Sequence, residues 1–327
     1  MTVQDSGEPT STAGATSDPT EQLWLRRSPR SAAVPSAAAL TGVDTRLLRQ
    51  ATAIAVASSP EAAALLEGME YRIRTLPTTV ETSAERCVNS VRGPVMWAET
   101  ITARANALGN DDVFVCMTTR RSYDRIENQL LLDALSSIAA AGRALDGPLG
   151  ERVETDDAER IRAVVHRAET WCSDSRFAGI RPGRLTGRAA ARVRGGHRRA
   201  AMAPVLAVRR RTLEPFAPAD LVGLADEWTR RLHRTASRVL DALERPRTLT
   251  LSDGGLWCRS LSFRHPAATG GGPAGLAFRG VPVLPPPEDV AGAPWESSMP
   301  TDGVRVPADA DAETIRDVLR QSVSSSA

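Results

Sequence analysis

Ten arginines between residues 181 and 211 are the side chains in this sequence whose types and spacing most clearly suggest a chemistry. No Asp or Glu interrupts them, so the other 31 arginines of the chain stand against all 39 acidic residues. Guanidinium groups bind phosphate through paired hydrogen bonds, and a basic patch releases counterions when it binds nucleic acid. The predicted nucleic-acid contacts are Arg184, Arg188, Arg192, Arg194, Arg198, Arg199, Arg209, Arg210 and Arg211.

Spacing adds a little detail to this prediction. Arg184, Arg188 and Arg192 would line one face of a helix, which Gly195-Gly196 would interrupt. The sequence contains no lysine, and codon bias in a GC-rich genome explains the use of arginine but not its segregation. Two other interpretations stay open. The segment is a solvated face, or it pairs with the acidic remainder of the same protein.

Metal and nucleotide chemistry find little support in the sequence. The histidines, His166, His197, His233 and His265, have no ligand spacing with one another or with cysteine, so we expect no metal site. His166 and His233 fall on helices and are expected at a surface or an edge. The stretch 270–275 fits GxGxxG but follows a His-Pro turn instead of a strand, and the absence of lysine excludes a Walker A loop. We therefore expect no cofactor.

One group of charged residues invites a catalytic interpretation. Asp111, Asp112, Asp124, Glu127 and Arg120-Arg121 could be imagined as a cluster, but each has a simpler role in a turn or at a helix start. Asp124 with Glu127 three residues later resembles a capping box. The sequence also lacks GxSxG and HExxH signatures, so no catalytic residue is predicted.

The elements that must position these residues centre on residues 91–143. Hydrophobic spacing predicts a helix beginning near Met96, a buried strand at Val113–Met117 and a long helix that follows it. Residues 82–91 are predicted to be helical as well. A single amphipathic helix is predicted from Pro218 to Leu243, ended by Pro246.

The composition divides the chain into four parts. The composition of residues 1–37, rich in Ser, Thr, Pro, Gly and Ala, predicts a disordered tail. Trp24 in this tail is either a docking anchor or a loosely packed side chain. A mainly helical domain is predicted for residues 38–245 and a small β region for residues 246–300. A loose tail with a short helix is predicted for residues 301–327. The predicted fold class is α+β, predominantly α-helical with a small β-hairpin or sheet region near the C-terminus.

Cysteine usage and hydropathy bear on the compartment. Cys87, Cys116, Cys172 and Cys258 are scattered without a CxxC pair, which is typical of a reducing compartment. No apolar run approaches the length of a membrane span, and the N-terminus has no basic-then-apolar pattern. We expect a cytoplasmic protein without membrane attachment.

A family resemblance rests on the central block. Residues 92–97 (RGPVMW), Thr100-Ile101, Phe114–Cys116, residues 121–124 (RSYD) and residues 127–131 (ENQLL) resemble bacterial proteins related to McrC, a subunit of modification-dependent restriction systems. The basic stretch 197–211 is similar to a helix that follows in those proteins. The resemblance covers roughly residues 75–245.

The resemblance implies a PD-(D/E)xK nuclease core and a GTP-hydrolysing AAA+ partner. Without lysine the acidic-x-Lys element of that core cannot be present, and residues 246–300 do not read as a nuclease sheet. The sequence therefore predicts a nuclease-less component of a McrC-like defence system that contacts DNA, with an AAA+ NTPase as a partner subunit. The alternative is a non-enzymatic adaptor whose arginine-rich segment binds an acidic partner protein.

Overall fold

The computed structural model describes residues 18–180, 191–193, 199–243, 248–252, 255–258, 261–265, 275–279, 281–286 and 303–325. The predicted fold class is confirmed, since the protein is α+β and predominantly helical. Two compact units form, the first from residues 1–49 with 216–327 and the second from residues 50–215. This division differs from the four consecutive parts expected from composition, because the two ends of the chain share one core.

The helices in chain order are α1 (Pro19–Leu25), α2 (Ala33–Thr41), α3 (Thr45–Ala57), α4 (Pro60–Glu67), α5 (Met69–Arg74), α6 (Trp97–Asn106), α7 (Ile126–Leu145), α8 (Thr155–Cys172), α9 (Arg199–Leu213), α10 (Pro218–Leu224), α11 (Glu227–Ala242) and α12 (Ala312–Ser325). The strands are β1 (Thr79–Val88), β2 (Val113–Ser122), β3 (Thr250–Ser252), β4 (Gly255–Cys258), β5 (Leu261–Arg264), β6 (Gly275–Phe278), β7 (Val281–Leu284) and β8 (Val304–Arg305).

The prediction of a disordered tail is wrong for residues 18–37, which carry α1 and the start of α2. The Asp18 carboxylate accepts a hydrogen bond from the Thr20 amide at 2.8 Å and so caps α1, whose first residue is Pro19. Trp24 is buried in the core of the first unit, and the Arg27 guanidinium lies 4.2 Å from its ring centroid. The tail prediction failed because α1 buries its few apolar residues against segments far away in the sequence.

The predicted β region forms one six-stranded sheet in the order β3-β4-β5-β6-β7-β8. Neighbouring strands are antiparallel up to β7, and β8 lies parallel to β7. The pairing of Leu251 with Leu256 confirms the turn of the predicted hairpin, but its second strand, predicted over Leu256–Phe263, is divided into β4 and β5, which pair with each other. Helix α2 packs on β4 and β5, and α12 packs on α11. Beta structure therefore extends to residue 305, past the expected limit.

A buried histidine joins three helices of the first unit. His233 on α11 is fully buried, which contradicts the expected surface position. Its Nε2–H donates to the Leu40 carbonyl at 3.1 Å, and its Nδ1 accepts from the Thr20 hydroxyl at 2.8 Å. Both ring nitrogens are thus satisfied by the neutral imidazole. Burial lowers the pKa of His233 to about 4, because the charged ring would lose its hydration.

His265 also lies in this core. Its Nε2 is 3.0 Å from the Thr229 hydroxyl, and burial lowers the pKa of His265 as well. A Cβ at Gly42 would stand 2.1 Å from its Nδ1, and Gly42 has a φ of +71°. Glycine at position 42 therefore allows both the left-handed turn after α2 and the close approach of the imidazole.

The second unit is a helical core from which a β-hairpin departs. Helix α7 packs along α8, and α9 packs against α4 and α7. The predicted helix at residues 82–91 is wrong, because residues 79–88 form β1, which pairs with β2 from Thr79–Ser122 to Val88–Val113. Thr79, Val80 and Thr82 favour strand geometry, and the long-range pairing decides the outcome.

The long helix predicted from Pro218 is interrupted. Helix α10 ends at Leu224 and α11 begins at Glu227, with the Asp226 carboxylate accepting from the Thr229 amide at 2.7 Å. Burial opposes the charged form of Asp226, but the two hydrogen bonds from Thr229 outweigh it and lower the pKa of this carboxyl. The new helix start thus comes from an Asp N-cap inside an otherwise continuous apolar pattern.

Acid should weaken the first unit through His233. The ring has a pKa near 6.5 in the unfolded chain and about 4 in the folded protein, so the unfolded state binds more protons between these values. Stability present above pH 6.5 should fall by about 3 kcal/mol as the pH drops towards 4. Denaturant unfolding across this range measures the loss. His233→Leu should reduce the slope and His166→Leu, at an exposed position, should keep it; equal slopes in all three proteins would contradict the assignment.

Candidate functional site

The structure describes part of the arginine-rich segment. Arg184, Arg188, Arg194 and Arg198 lie outside the described residues, as does Gly195-Gly196. Arg192 is exposed within the helical residues 191–193, and Arg199 begins α9. At the other end of α9, Arg210 is exposed, whereas Arg209 and Arg211 are half-buried.

Arg209 belongs to the packing of the second unit. Its Nη1 lies 2.6 Å from Oδ2 of Asp133 on α7, and only 12% of its side chain is exposed. This ion pair connects α9 to α7. It is one instance of the pairing between the arginine segment and acidic residues of the same protein that the sequence left open. The neighbouring Arg210, in contrast, is exposed.

The acidic residues of the central block are not brought together. Asp111 lies in the turn before β2, where it pairs with Arg104 at 3.3 Å. Asp124 and Glu127 lie beyond the opposite end of β2, which is ten residues or roughly 30 Å long. The predicted capping box is wrong, because α7 begins at Ile126 with Arg125 as its N-cap and the Asp124 carboxylate accepts from the Gln129 side chain instead.

Metal-ligating clusters and pockets are the two features of the described parts of the chain that bear on small-ligand binding. Within these ranges no three His, Cys, Asp or Glu side chains form a group that could hold a metal ion. A cavity lined by Arg72, Glu127 and Met202 encloses about 50 Å³. A second pocket, lined by Glu67, Glu70 and Arg167, measures about 250 Å³. Among the described helices, none is long and apolar enough to cross a membrane.

The feature that stands out is an arm formed by residues 79–122, comprising β1, α6 and β2. The edge of β2 that faces away from β1 is fully occupied near its start. The Met96 amide donates to the Val115 carbonyl at 2.8 Å, and the Thr100 hydroxyl accepts from the Val115 amide at 2.9 Å. Arg104 Nε donates to the Val113 carbonyl at 2.9 Å. Helix α6 is thus attached to the strand through polar contacts.

This attachment leaves an apolar stripe of α6 in solvent. Thr100 is the one buried residue of the helix. Trp97 and Ile101, one turn apart, are 62% and 66% exposed, and Leu108 just after the helix is completely exposed. Leu108 also has a φ of +56°, a conformation that disfavours a residue with a branched side chain. We call Trp97, Ile101, Ala105 and Leu108 the α6 stripe.

Comparison of the sequence with known proteins does not assign the chain to a family. No protein-family model matches the sequence, and no curated protein matches it. The resemblance to McrC-related proteins therefore stays a prediction. Its first three motifs, Arg92–Trp97, Thr100-Ile101 and Phe114–Cys116, all lie on the arm, and the motif at Glu127 opens α7.

Sequence reasoning treated the arm as ordinary packing and missed its exposed face. The signal was present, since Trp97, Ile101 and Leu108 follow helical spacing beside polar Thr100 and Arg104. An amphipathic pattern says that one face is apolar, but it does not say whether that face is covered. Only the contacts of Thr100 and Arg104 with β2 show which side of the helix turns inward.

Arg209 and Arg210 should separate structural from solvent-facing arginines on α9. Arg209→Ala removes the ion pair with Asp133 and should lower the free energy of unfolding by about 1 kcal/mol, since one partner is partly hydrated. Arg210→Ala at the exposed neighbour should change it by less than about 0.5 kcal/mol. Urea unfolding of both variants measures the difference, and equal effects would show that the ion pair contributes nothing.

Proposed function

We propose that this protein is a non-catalytic docking module that binds a partner protein through the α6 stripe. The observation that carries the proposal is the exposure of Trp97 and Ile101, one turn apart on α6, and of Leu108 just after the helix. Fully burying a side chain of this size contributes about 1.5–3 kcal/mol. Burial of the α6 stripe by a partner would therefore contribute several kcal/mol to the binding free energy. Exposed apolar patches of this kind mark interaction sites.

The geometry of the stripe supports a helix-in-groove mode of binding. Trp97 and Ile101, at i and i+4, lie on one side of α6 as the anchors of a groove-binding helix do, and tryptophan is often an energetic anchor. A membrane surface is a poorer match, because such helices carry Lys or Arg on their polar face. Here Arg104 is bound to β2, and the exposed charge in the first turn of α6 is Glu99.

A site-specific crosslinking experiment tests this function. A photoreactive amino acid placed at position 97 or 101 in the native host should give one discrete adduct, whereas placement at Glu99 on another side of α6 should not. The captured protein is then identified, purified and titrated. Trp97→Asp with Ile101→Asp should weaken its binding at least about a hundredfold, because two anchors are lost. Adducts of equal yield from all three positions would contradict the proposal.

DNA contact is the second candidate, and the segregation of charge favours it. No acidic residue occurs from 181 to 213, and Arg192 and Arg210, two of the described arginines of this segment, are exposed. In this form the protein is a nuclease-less component of a McrC-like system, the docked partner is an AAA+ NTPase subunit, and the arginine segment contacts DNA phosphates.

Salt dependence tests the DNA proposal directly. Binding of a duplex by the full chain should weaken as salt rises, and Arg188→Glu with Arg192→Glu should lower affinity for all sequences and flatten the salt slope. Arg160→Glu with Arg162→Glu on α8 carries the same change in net charge and should have little effect. Unchanged binding in the first pair, or an equal loss in the second, would remove this candidate.

A further inference from the structure

We propose that two copies of this chain associate by antiparallel pairing of their β1 strands, with the two-fold axis passing at Ala84. This inference concerns the side of the arm away from α6 and does not depend on the proposed docking function. It rests on the hydrogen-bonding state of the two edges of the hairpin.

The two edges of the arm differ. Strand β2 pairs with β1 on one side and is covered on the other, from Val113 to Met117, by Pro94, Met96, Thr100 and Arg104. Strand β1 pairs with β2 alone among the described strands. It is ten residues long, lacks proline and glycine, and is exposed at every position except Glu85 and Cys87. Proteins normally shorten, bend or cover such an edge, because it is a template for another strand.

The hydrogen bonds of β2 show which β1 groups face outward. Val113 and Val115 bond away from β1, and they are paired with Val88 and Arg86. The Asn89 amide, one residue further, donates inward to the Asp112 carbonyl at 2.9 Å. Because inward and outward residues alternate in an antiparallel pair, the outward residues of β1 are Val80, Thr82, Ala84, Arg86 and Val88.

One register uses all five outward residues. With the axis at Ala84, Val80 faces Val88 of the second copy, Thr82 faces Arg86 and Ala84 faces itself. No like charges then stand opposite each other. Moving the axis to Ser83 would place Glu81 against Glu85, and moving it to Glu85 would place that carboxylate against its own copy; both arrangements are unfavourable.

The same register brings exposed apolar side chains of the two copies together. Val80, Ala84 and Val88 lie on the sheet face that also carries Met117, which is opposite Ala84 on β2. Val80, Val88 and Met117 are exposed in the single chain. In the pair of hairpins each Val80 lies beside Val88 of the other copy, and the Ala84–Met117 pairs of the two copies meet at the axis. Three or more strands with an apolar face are more stable than an isolated hairpin.

Sedimentation equilibrium of the full chain tests the proposal, with a reversible monomer–dimer equilibrium as the expected result. Ala84→Pro removes one outward N–H without touching the bonds to β2 and should raise the dimer dissociation constant by more than about tenfold. In the dimer, residue 82 of each copy faces Arg86 of the other copy. Thr82→Glu should therefore lower the dimer dissociation constant and Thr82→Arg should raise it, each by about threefold to tenfold. Combining Thr82→Arg with Arg86→Glu should restore association.

Thr119 provides the matched control. It lies directly opposite Thr82 on β2, on the same sheet face but away from the outer edge, so Thr119→Glu and Thr119→Arg should leave the constant nearly unchanged. Trp97→Asp with Ile101→Asp should also leave it unchanged, which separates this edge from the α6 stripe. A protein that stays monomeric at all concentrations overturns the proposal. A dimer that ignores Ala84→Pro, or responds equally at positions 82 and 119, overturns it as well.

Discussion

The arm depends on one constraint, which is that the backbone groups on the open edge of β2 must find partners. Thr100 and Arg104 supply them from α6, because a hydroxyl and a guanidinium can reach the amide and carbonyl groups of Val113 and Val115. A helix that turns its polar side chains towards a strand must turn its remaining side chains elsewhere. The exposure of Trp97 and Ile101 is therefore the direct result of how β2 is satisfied.

The first unit meets the same requirement in a different way. His233 satisfies the Leu40 carbonyl and the Thr20 hydroxyl inside the core, so three helices are held through one neutral ring. Here the polar contacts are enclosed by apolar packing, whereas on the arm they lie beside solvent. Polar groups that hold a core together and polar groups that hold an exposed helix on an edge can thus occur in a single chain.

Much of the local structure could be predicted from the sequence, and most of what could not depends on distant partners. Spacing predicted the strand at Val113, the helix that follows it and the hairpin at Leu251 to Leu256. It failed for β1, because residues 82–88 have a periodicity compatible with a helix until β2 pairs with them. It failed for α1 and for His233 for the same reason, since Leu40 and Thr20 are about two hundred residues away in sequence. For the candidate site, composition predicted the arginine segment but could not show that Arg209 pairs with Asp133 or that the α6 stripe is uncovered.

The half of the hairpin nearest the helical core is expected to open locally at a small free-energy cost. Residues 79–84 are exposed on both faces of the ribbon, so little burial opposes their local opening. Backbone amides there are expected to exchange with solvent at a much smaller free-energy cost than those of α7. A molecule that binds the arm would restrict the local opening of these residues. Part of its binding free energy would then be offset by the loss of conformational entropy. Affinity for the arm should therefore depend on the stiffness of the hairpin as well as on its exposed side chains.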